Sequence, residues 1–159
     1  TDRSRGLGDV YKRQYRKDAT ILDKESIEKA DIVLADVPCS GLGVIGKKTD
    51  IKYRTDEDKI QELSVLQKRI LHNAASYVKP GGVLIYSTCT ITREENQDNV
   101  AWFTENYPFV LESLDPYLCE ELHSETTAQG YLQLLPGVHK TDGFFLARLR
   151  KKEETEWNN

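Results

Sequence analysis

The sequence predicts an α/β fold, with parallel strands in the body of the sheet and an antiparallel edge. Three observations lead to this prediction. Apolar strand-like and helix-like segments alternate along the chain, two short runs at residues 32–35 and 83–86 are rich in β-branched residues, and the last two strand-like runs have no helix between them. A chain of 159 residues with 38% hydrophobic and 30% charged content suits one globular domain with a real core.

The first predicted strand covers residues 32–35, an apolar run between Asp31 and Asp36. A short run of this kind is typical of a parallel strand that is buried on both faces. Asp36 should then lie at the carboxyl end of the strand.

A helix is predicted next, with Thr55 as its cap and Asp58 three residues later. Its apolar residues recur at helical spacing, namely Ile60, Leu63, Ile70, Leu71, Ala74 and Val78. The run at residues 79–82, Lys-Pro-Gly-Gly, should end the helix, and residues 83–86 form the next buried strand. A crossover of this length should be right-handed, so the two strands run parallel and their carboxyl ends lie on the same side.

Thr92 and Glu95 form a second capping-box pattern, which predicts a helix through Asn106 that ends at Tyr107 and Pro108. Three further strands are predicted at residues 109–114, 131–135 and 144–149. We expect them to close one edge of the sheet in antiparallel pairing.

The two ends of the chain differ from the middle. Residues 1–14 have no periodicity and a Gly/Arg-rich composition, so we interpret them as a non-native leader. Residues 15–152 form the predicted domain, and residues 153–159 form a polar tail.

Composition narrows the classes of function. A net charge of −4 argues against a free-standing nucleic-acid binder, because phosphate contacts need clustered Lys and Arg. Two basic patches are nevertheless present: Lys47, Lys48, Lys52 and Arg54, and the run Arg148, Arg150, Lys151 and Lys152. No apolar run approaches the roughly 18 residues of a membrane span, so we expect a cytoplasmic protein without membrane contact.

Three cysteines are present, at positions 39, 89 and 119. They are odd in number and form no CxxC pair, so neither a disulfide framework nor a zinc site fits, and we expect no metal. Cys119 matches no motif.

Cys39 and Cys89 are the candidate functional residues. Each follows a predicted parallel strand, at whose carboxyl end open α/β sheets bind their ligands. Buried structural cysteines are common, and that interpretation stays open for each thiol alone. Two thiols at equivalent positions of neighbouring strands favour a functional site.

The residues around these cysteines resemble a known family. Residues 36–43, DVPCSGLG, and 86–90, YSTCT, are similar to the two cysteine motifs of the Sun family of RNA (cytosine-5) methyltransferases. Further similarity lies at residues 49–54, 67, 70–71, 79–82, 95–96 and 142–145. The resemblance covers residues 18–151 and is nearest to the bacterial branch, methyltransferase B, that acts on 16S ribosomal RNA.

The resemblance implies the C-terminal part of a Rossmann-like, S-adenosylmethionine-dependent methyltransferase fold. It implies a monomeric enzyme that takes its methyl group from S-adenosylmethionine and modifies carbon 5 of cytosine in RNA, with ribosomal RNA as the expected substrate. By the family pattern, Cys89 is the nucleophile that adds to carbon 6, and Cys39 helps to eliminate the enzyme afterwards. Asp18 and Asp36 are implied cofactor contacts. The implied substrate contacts are Pro38, which stiffens the turn that aims Cys39, and Lys52 and Arg54.

The sequence departs from the family pattern at its start. The family's glycine-rich cofactor loop should precede Asp18, and the Gly-Leu-Gly at residues 6–8 follows no apolar strand. We therefore expect this chain to be inactive alone. Two alternatives remain: a non-catalytic RNA- or partner-binding remnant, and a DNA cytosine-5 methyltransferase, in which the Pro-Cys cysteine, Cys39, would be the nucleophile.

Overall fold

The computed structural model describes residues 13–44, 46 and 57–153. Several predictions lie outside these residues: the leader up to residue 12, the patch around Lys52 and Arg54, the Thr55 cap, and the tail from residue 154. The described residues form a five-stranded sheet with helices packed on it. The α/β prediction is confirmed.

A parallel pair forms the body of the sheet. Strand β1 (Ala30–Asp36) is followed by helix α1 (Glu57–Tyr77) and strand β2 (Val78–Thr88), and β1 pairs with β2 in parallel. The predicted parallel pairing is confirmed. The later elements are α2 (Gln97–Asn106), β3 (Phe109–Leu111), α3 (Glu125–Gln129), β4 (Tyr131–Leu134) and β5 (Phe144–Lys151).

The predicted antiparallel edge is also confirmed. Strand β5 lies antiparallel to β2, with Val83 opposite Arg150 and Thr88 opposite Phe145. Along its other side β5 pairs antiparallel with β3 near its carboxyl end and with β4 near its amino end. Two short strands thus share one edge of the longer strand β5.

The core lies between the sheet and the pair of helices α1 and α2. Its largest fully buried apolar side chains are Tyr86, Phe103, Phe109, Phe145, Leu71, Leu84 and Leu149. Tyr86 and Phe145 meet edge to face with ring centroids 6.2 Å apart, a geometry that aromatic pairs favour. This core fixes β2, whose carboxyl end carries Cys89.

Strand β1 is not buried on both faces, so that prediction was wrong. Val33 and Ala35 face α1, whereas Ile32 and Leu34 on the other face are 65% and 66% exposed. The physical reason is that, within the described ranges, α1 and α2 both cover the same face of the sheet. β1 also has one unpaired edge among these residues.

The Lys-Pro-Gly-Gly run does not form a separate loop. Helix α1 ends at Tyr77 and β2 begins at Val78, although the hydrophobic spacing predicts Val78 to be in the helix. Between the pairs Ala30–Val78 and Ile32–Val83 the register shifts, so residues 79–82 form an irregularity inside the strand. Gly81 has a φ of 72°, which explains why glycine is suited to this bulge.

Helix α2 begins at Gln97, later than predicted, and no capping box forms at Thr92 and Glu95. The Glu95 carboxylate instead accepts a hydrogen bond from the hydroxyl group of Thr92 at 2.8 Å. Ser40 and Gln67 also donate hydrogen bonds to this carboxylate. The predicted end at Tyr107 is confirmed, since the Tyr107 N–H closes the last turn on the Phe103 carbonyl.

No helix within the described ranges has the length and apolar content that would let it cross a bilayer. Over the same ranges, His, Cys, Asp and Glu side chains do not gather in threes in a way that could hold a metal ion.

Candidate active site

The carboxyl ends of β1 and β2 bring two thiols into contact. The Sγ atoms of Cys39 and Cys89 lie 2.9 Å apart, and the Cys89 backbone N–H donates to Cys39 Sγ at 3.2 Å. Both side chains are half-buried, whereas Cys119 is exposed. The parallel strands place the thiols side by side because Asp36 of β1 is in register with Ser87 of β2. Cys39 follows Asp36 by three residues, and Cys89 follows Ser87 by two residues.

Burial, together with the hydrogen bond to Cys89, raises the pKa of the Cys39 thiol to about 12. Cys39 therefore keeps its proton at neutral pH. Its S–H is positioned to donate a hydrogen bond to the Cys89 sulfur. Either sulfur can be the hydrogen-bond donor across this contact.

The Glu95 carboxylate joins the two cysteine loops. It accepts hydrogen bonds from the Ser40 N–H at 2.9 Å and from Ser40 Oγ at 2.5 Å, on the loop of Cys39. It also accepts from Thr92 Oγ1 at 2.8 Å, on the segment after Cys89, and from Gln67 Nε2 at 2.9 Å, on α1. Glu95 is fully buried, so these four donors replace the water that a carboxylate needs.

Helix α1 supports the Cys39 loop through Gln67. The Nε2 group of Gln67 also donates to the Pro38 carbonyl at 2.9 Å, and its Oε1 accepts from Asn99 Nδ2 at 2.8 Å. Asn99 Oδ1 in turn accepts from Ser64 Oγ at 2.9 Å. A buried polar chain thus runs from α2 through α1 to the residue that precedes Cys39, and it limits the movement of that loop.

Asn96 supports the Cys89 loop from both sides. Thr88 Oγ1 donates to Asn96 Oδ1 at 2.6 Å, and Asn96 Nδ2 donates to the Thr90 carbonyl at 3.1 Å. The same amide donates to Gln133 Oε1 on β4 at 2.8 Å. Residues 88 and 90 are therefore both held, and the thiol between them has a fixed position.

A third loop closes against the first two at a pair of glycines. The Gly143 N–H donates to the Gly43 carbonyl at 2.7 Å, and the Gly43 N–H donates to the Cys89 carbonyl at 3.1 Å. A Cβ on Gly43 would lie 2.8 Å from that Cys89 carbonyl oxygen, closer than real Cβ atoms come. Only glycine lets these three backbones approach so closely.

Asp36 lies beside the thiols, at the end of β1. Its Oδ1 accepts a hydrogen bond from Ser87 Oγ at 2.8 Å, and its side chain points to the open face of the sheet with Ile32 and Leu34. The exposed carboxylate can therefore meet a ligand on that face.

Asp18 lies apart from the other predicted residues. It accepts hydrogen bonds from the Thr20 hydroxyl at 2.7 Å and the Thr20 N–H at 2.9 Å, which lower its pKa. It lines a cavity of about 450 Å³ with Ile32, Val33 and Tyr77, to which Asp36, Cys39 and Cys89 do not contribute.

Of the predicted site residues, the structure thus gathers Cys39, Cys89, Asp36 and Pro38 at one end of the sheet. It places Asp18 elsewhere, and Lys52 and Arg54 lie outside the described residues. The sequence predicts Glu95 in a helix cap and shows family similarity at residues 67 and 95–96, but it assigns none of Glu95, Asn96 and Gln67 to the site. A signal was present, because Ser64 and Gln67 are polar residues on the apolar face of α1.

One of the two basic patches is used inside the protein. Arg148 Nε and Arg150 Nε contact the Glu112 carboxylate at 2.6 Å and 2.7 Å. These arginines join β5 to the segment after β3. Lys151 Nζ also pairs with Glu28 at 2.9 Å, so three of the four cations of this patch are paired within the protein.

The mixed sheet and its solved neighbours define the class: a Rossmann-like fold of S-adenosylmethionine-dependent methyltransferases. The family model described as 16S rRNA methyltransferase RsmB/F matches residues 3–150. The chain belongs to this family, a branch of the Sun methyltransferases.

Individual relatives agree with this family assignment. Ribosomal RNA small subunit methyltransferase F of Cronobacter sakazakii is 38% identical over 130 residues, which are 81% of this chain and 27% of that protein. The crystal structure of PH0851 is 43% identical, with a TM-score of 0.70, over 79% of this chain and 27% of that one. NSun6 of Pyrococcus horikoshii, solved with SFG, is 27% identical, with a TM-score of 0.68, over 88% of this chain and 34% of that one. The chain therefore spans about a quarter of the curated relatives that it matches.

Proposed function

We propose that this chain is the thiol-bearing part of an enzyme that transfers a methyl group from S-adenosylmethionine to carbon 5 of a cytosine in RNA. The observation that carries the proposal is the 2.9 Å contact between Cys39 Sγ and Cys89 Sγ at the carboxyl ends of parallel strands. Membership of the RsmB/F family favours small-subunit ribosomal RNA as the substrate.

Cys89 is the nucleophile in this proposal. Carbon 5 of cytosine is a poor nucleophile until a thiolate adds to carbon 6, which moves an electron pair toward carbon 5. Carbon 5 then forms a bond to the methyl group, and the bond between that methyl and its sulfonium breaks. The Cys89 loop is suited to this role because Asn96 holds it on both sides.

Cys39 acts in the second half of the reaction. Carbon 5 loses its proton, the double bond between carbons 5 and 6 re-forms, and the bond from carbon 6 to Cys89 Sγ breaks. The neutral Cys39 thiol donates its proton to the departing sulfur, and the Cys39 thiolate so formed takes up the proton from carbon 5. Both thiols are restored, and the net proton released is the one that Cys89 lost to water when it formed the thiolate. The raised pKa of Cys39 supports this order of roles, since a raised pKa lowers the fraction of a thiol that is present as the reactive thiolate.

The described residues fit one side of a cofactor site. Asp36 presents a carboxylate on the open face of β1, at the carboxyl end where α/β folds bind cofactors, and we assign Asp36 and Asp18 to cofactor binding. The group supplies an activated methyl on a sulfonium. The neighbour solved with SFG, an S-adenosylmethionine analogue, supports this assignment.

The target base has to reach the two thiols unstacked, because a base inside a duplex is out of reach. Pro38 stiffens the turn before Cys39, and its carbonyl is fixed by Gln67. Lys52 and Arg54 complete the proposed substrate contacts. We further propose a monomer that works in the cytoplasm.

The test is covalent capture of RNA. Since the chain spans 27% of the Cronobacter relative, it is placed in a hybrid in which it replaces the matching segment of that protein. RNA with 5-fluorocytosine at the target should stay attached, because fluorine at carbon 5 leaves no proton for elimination. A denaturing gel detects the adduct.

Three variants assign the roles. Cys89→Ala should abolish capture, Cys39→Ala should let adducts accumulate even on ordinary RNA, and Cys119→Ala is the control that should behave like the parent. The DNA-type mechanism predicts loss of capture in Cys39→Ala instead. RNA binding without capture or methylation by the hybrid would support a non-catalytic remnant.

A further inference from the structure

A shallow groove lies between α1 and α2, away from the two thiols. It has a volume of about 330 Å³, and Lys68, Arg69 and His72 of α1 line it together with Trp102 and Tyr107. The α1 residues lie on one stripe of the helix. Gln67, which holds the Cys39 loop, lies on the opposite, buried side.

The aromatic side of the groove is rigid. The Tyr107 ring stacks on the fully buried Phe103 with centroids 4.8 Å apart, and it meets the Trp102 ring edge to face at 5.7 Å. Tyr107 OH lies 2.7 Å from His72 Nδ1, which ties the ring to α1. Phe103 and Phe109 fill the core beneath, so Trp102 extends the aromatic surface toward solvent.

The opposite side of the groove is cationic. Lys68 Nζ lies 5.3 Å from the Trp102 ring centroid, and Arg69 is exposed. Within the described part of the chain, neither forms an ion pair with a carboxylate. The positive charge of Arg69 helps to lower the pKa of Asp18, but the Asp18 carboxylate accepts its hydrogen bonds from Thr20. Two available cations therefore flank an aromatic surface in a chain whose net charge is −4.

We propose that this groove binds a single-stranded segment of RNA outside the catalytic pocket, with a base against Trp102 and phosphates on Lys68 and Arg69. Aromatic rings bind bases of any sequence by stacking, and clustered cations bind the backbone. The Lys68 contact with Trp102 is the weaker kind of interaction and can yield to a base, which frees the ammonium for phosphate.

The combination of cationic and aromatic side chains in the groove favours RNA over a peptide. An apolar peptide would leave Lys68 and Arg69 without partners, and an acidic peptide would leave Trp102 without one. The proposal rests on the proposed function only in taking RNA as the substrate. It adds a sequence-tolerant contact that would anchor the strand on the helix that also supports the Cys39 loop.

The chain contains two tryptophans, Trp102 and Trp157, so Trp157→Phe leaves Trp102 as the sole reporter. The probe is a 12-nucleotide single-stranded RNA of uridine and adenosine only, which offers no cytosine to the thiols. In this background, RNA should quench Trp102 fluorescence saturably.

Lys68→Ala with Arg69→Ala should weaken that binding at least tenfold and flatten the slope of log K against log salt by about 1.4, two phosphate contacts at about 0.7 each. The control is Lys24→Ala with Lys29→Ala, which removes the same charge from other exposed positions. Circular dichroism verifies that each variant is folded.

The proposal is overturned if RNA does not quench Trp102, if both double variants lose affinity equally, or if a poly-glutamate peptide quenches as strongly as RNA. Because the probe lacks cytosine, these results do not depend on covalent capture. A hybrid that fails to capture cytosine but binds this RNA would contradict only the proposed function. A hybrid that captures cytosine but does not bind this RNA would contradict only the proposed RNA site in the groove.

Discussion

Glu95 accepts both hydrogen bonds that Ser40 can donate, from the backbone N–H at 2.9 Å and from Oγ at 2.5 Å. This places a buried carboxylate of the segment after β2 directly under the loop that follows β1. The relative position of the two thiols thus depends on Glu95, whose hydrogen bonds are to Ser40, Gln67 and Thr92 and not to either sulfur. A buried hydrogen-bonded network of this kind specifies one arrangement when every member is satisfied.

Replacing Glu95 by glutamine should destabilise the chain. The carboxylate faces four donors, and a glutamine amide would turn two N–H donors toward some of them. Each unsatisfied buried group costs about 1–3 kcal/mol, so the unfolding midpoint should fall by at least 2–4 °C, roughly the shift per kcal/mol at this size. Thermal denaturation followed by circular dichroism measures it. Glu94→Gln, at the exposed neighbour, should change little. Equal midpoints for both variants would contradict the role of Glu95.

Gly43→Ala should also be destabilising, because its Cβ would meet the backbone carbonyl of Cys89 at 2.8 Å. Overpacking of this kind costs about 1–3 kcal/mol. Gly46→Ala is the matched control, since nothing lies within 4 Å of its added Cβ. Urea unfolding of the two variants gives the comparison, and a Gly43→Ala curve that overlays the Gly46→Ala curve would refute the close contact of the three loops.

The 2.9 Å contact between the sulfurs of Cys39 and Cys89 predicts a specific oxidation product. A disulfide bond is about 2.05 Å long, so the sulfurs need to move by less than an ångström. Diamide, which takes up the two hydrogens of the thiols, should form this bond and lower the titratable thiols of the denatured chain from three to one. Peptide mapping should find Cys119 reduced. Cross-linked dimers through Cys119, with residues 39 and 89 still free, would speak against the pairing.

Alkylation rates test whether the Cys39 thiol has a raised pKa. Burial raises the pKa of this thiol to about 12, and iodoacetamide reacts with the thiolate. Cys39 should therefore be the slowest of the three cysteines to alkylate between pH 7 and 10, and its rate should still rise above pH 10. Mass spectrometry of the digested protein measures the three rates. Rapid modification of Cys39 at pH 7 would make it, rather than Cys89, the better nucleophile.

The sequence predicts those elements whose signal is local. Hydrophobic periodicity indicates α1 and β2, and the proximity of Cys39 and Cys89 follows from the rule that parallel strands end on the same side. Exposure of Ile32 and Leu34 could not be predicted this way, because an apolar run looks the same whether or not another layer covers it.

The role of Glu95 escaped prediction for a different reason. Its spacing from Thr92 fits a helix cap, but Ser40 and Gln67, distant in sequence, offer three hydrogen bonds to the same carboxylate. Long-range polar contacts decide such cases, and a single sequence does not reveal them. The same holds for Gly43 and Gly143, which are 100 positions apart and meet only in the folded chain.

Acid should weaken the edge of the sheet through Glu112. Hydrogen bonds from Arg150 and Arg148 hold the pKa of this carboxyl below its ordinary value of 4.5. A carboxyl whose pKa is lowered by folding stabilises the native state above its unfolded pKa, and this contribution is lost as the pH falls through the lowered value.

The difference in unfolding free energy between the parent and Glu112→Gln should therefore be constant from pH 7 to about 5.5. It should shrink below about 4.5, where the carboxyl of the unfolded parent takes up a proton before that of the native state does. Urea denaturation at a series of pH values measures it, with Glu105→Gln, at an exposed position of α2, as the control. Because Arg148 and Arg150 would lose the same charged partner in both situations, the mutant and the acidified parent should converge. A gap that stays constant down to pH 3 would mean that the ion pair does not stabilise the pairing of β3 with β5.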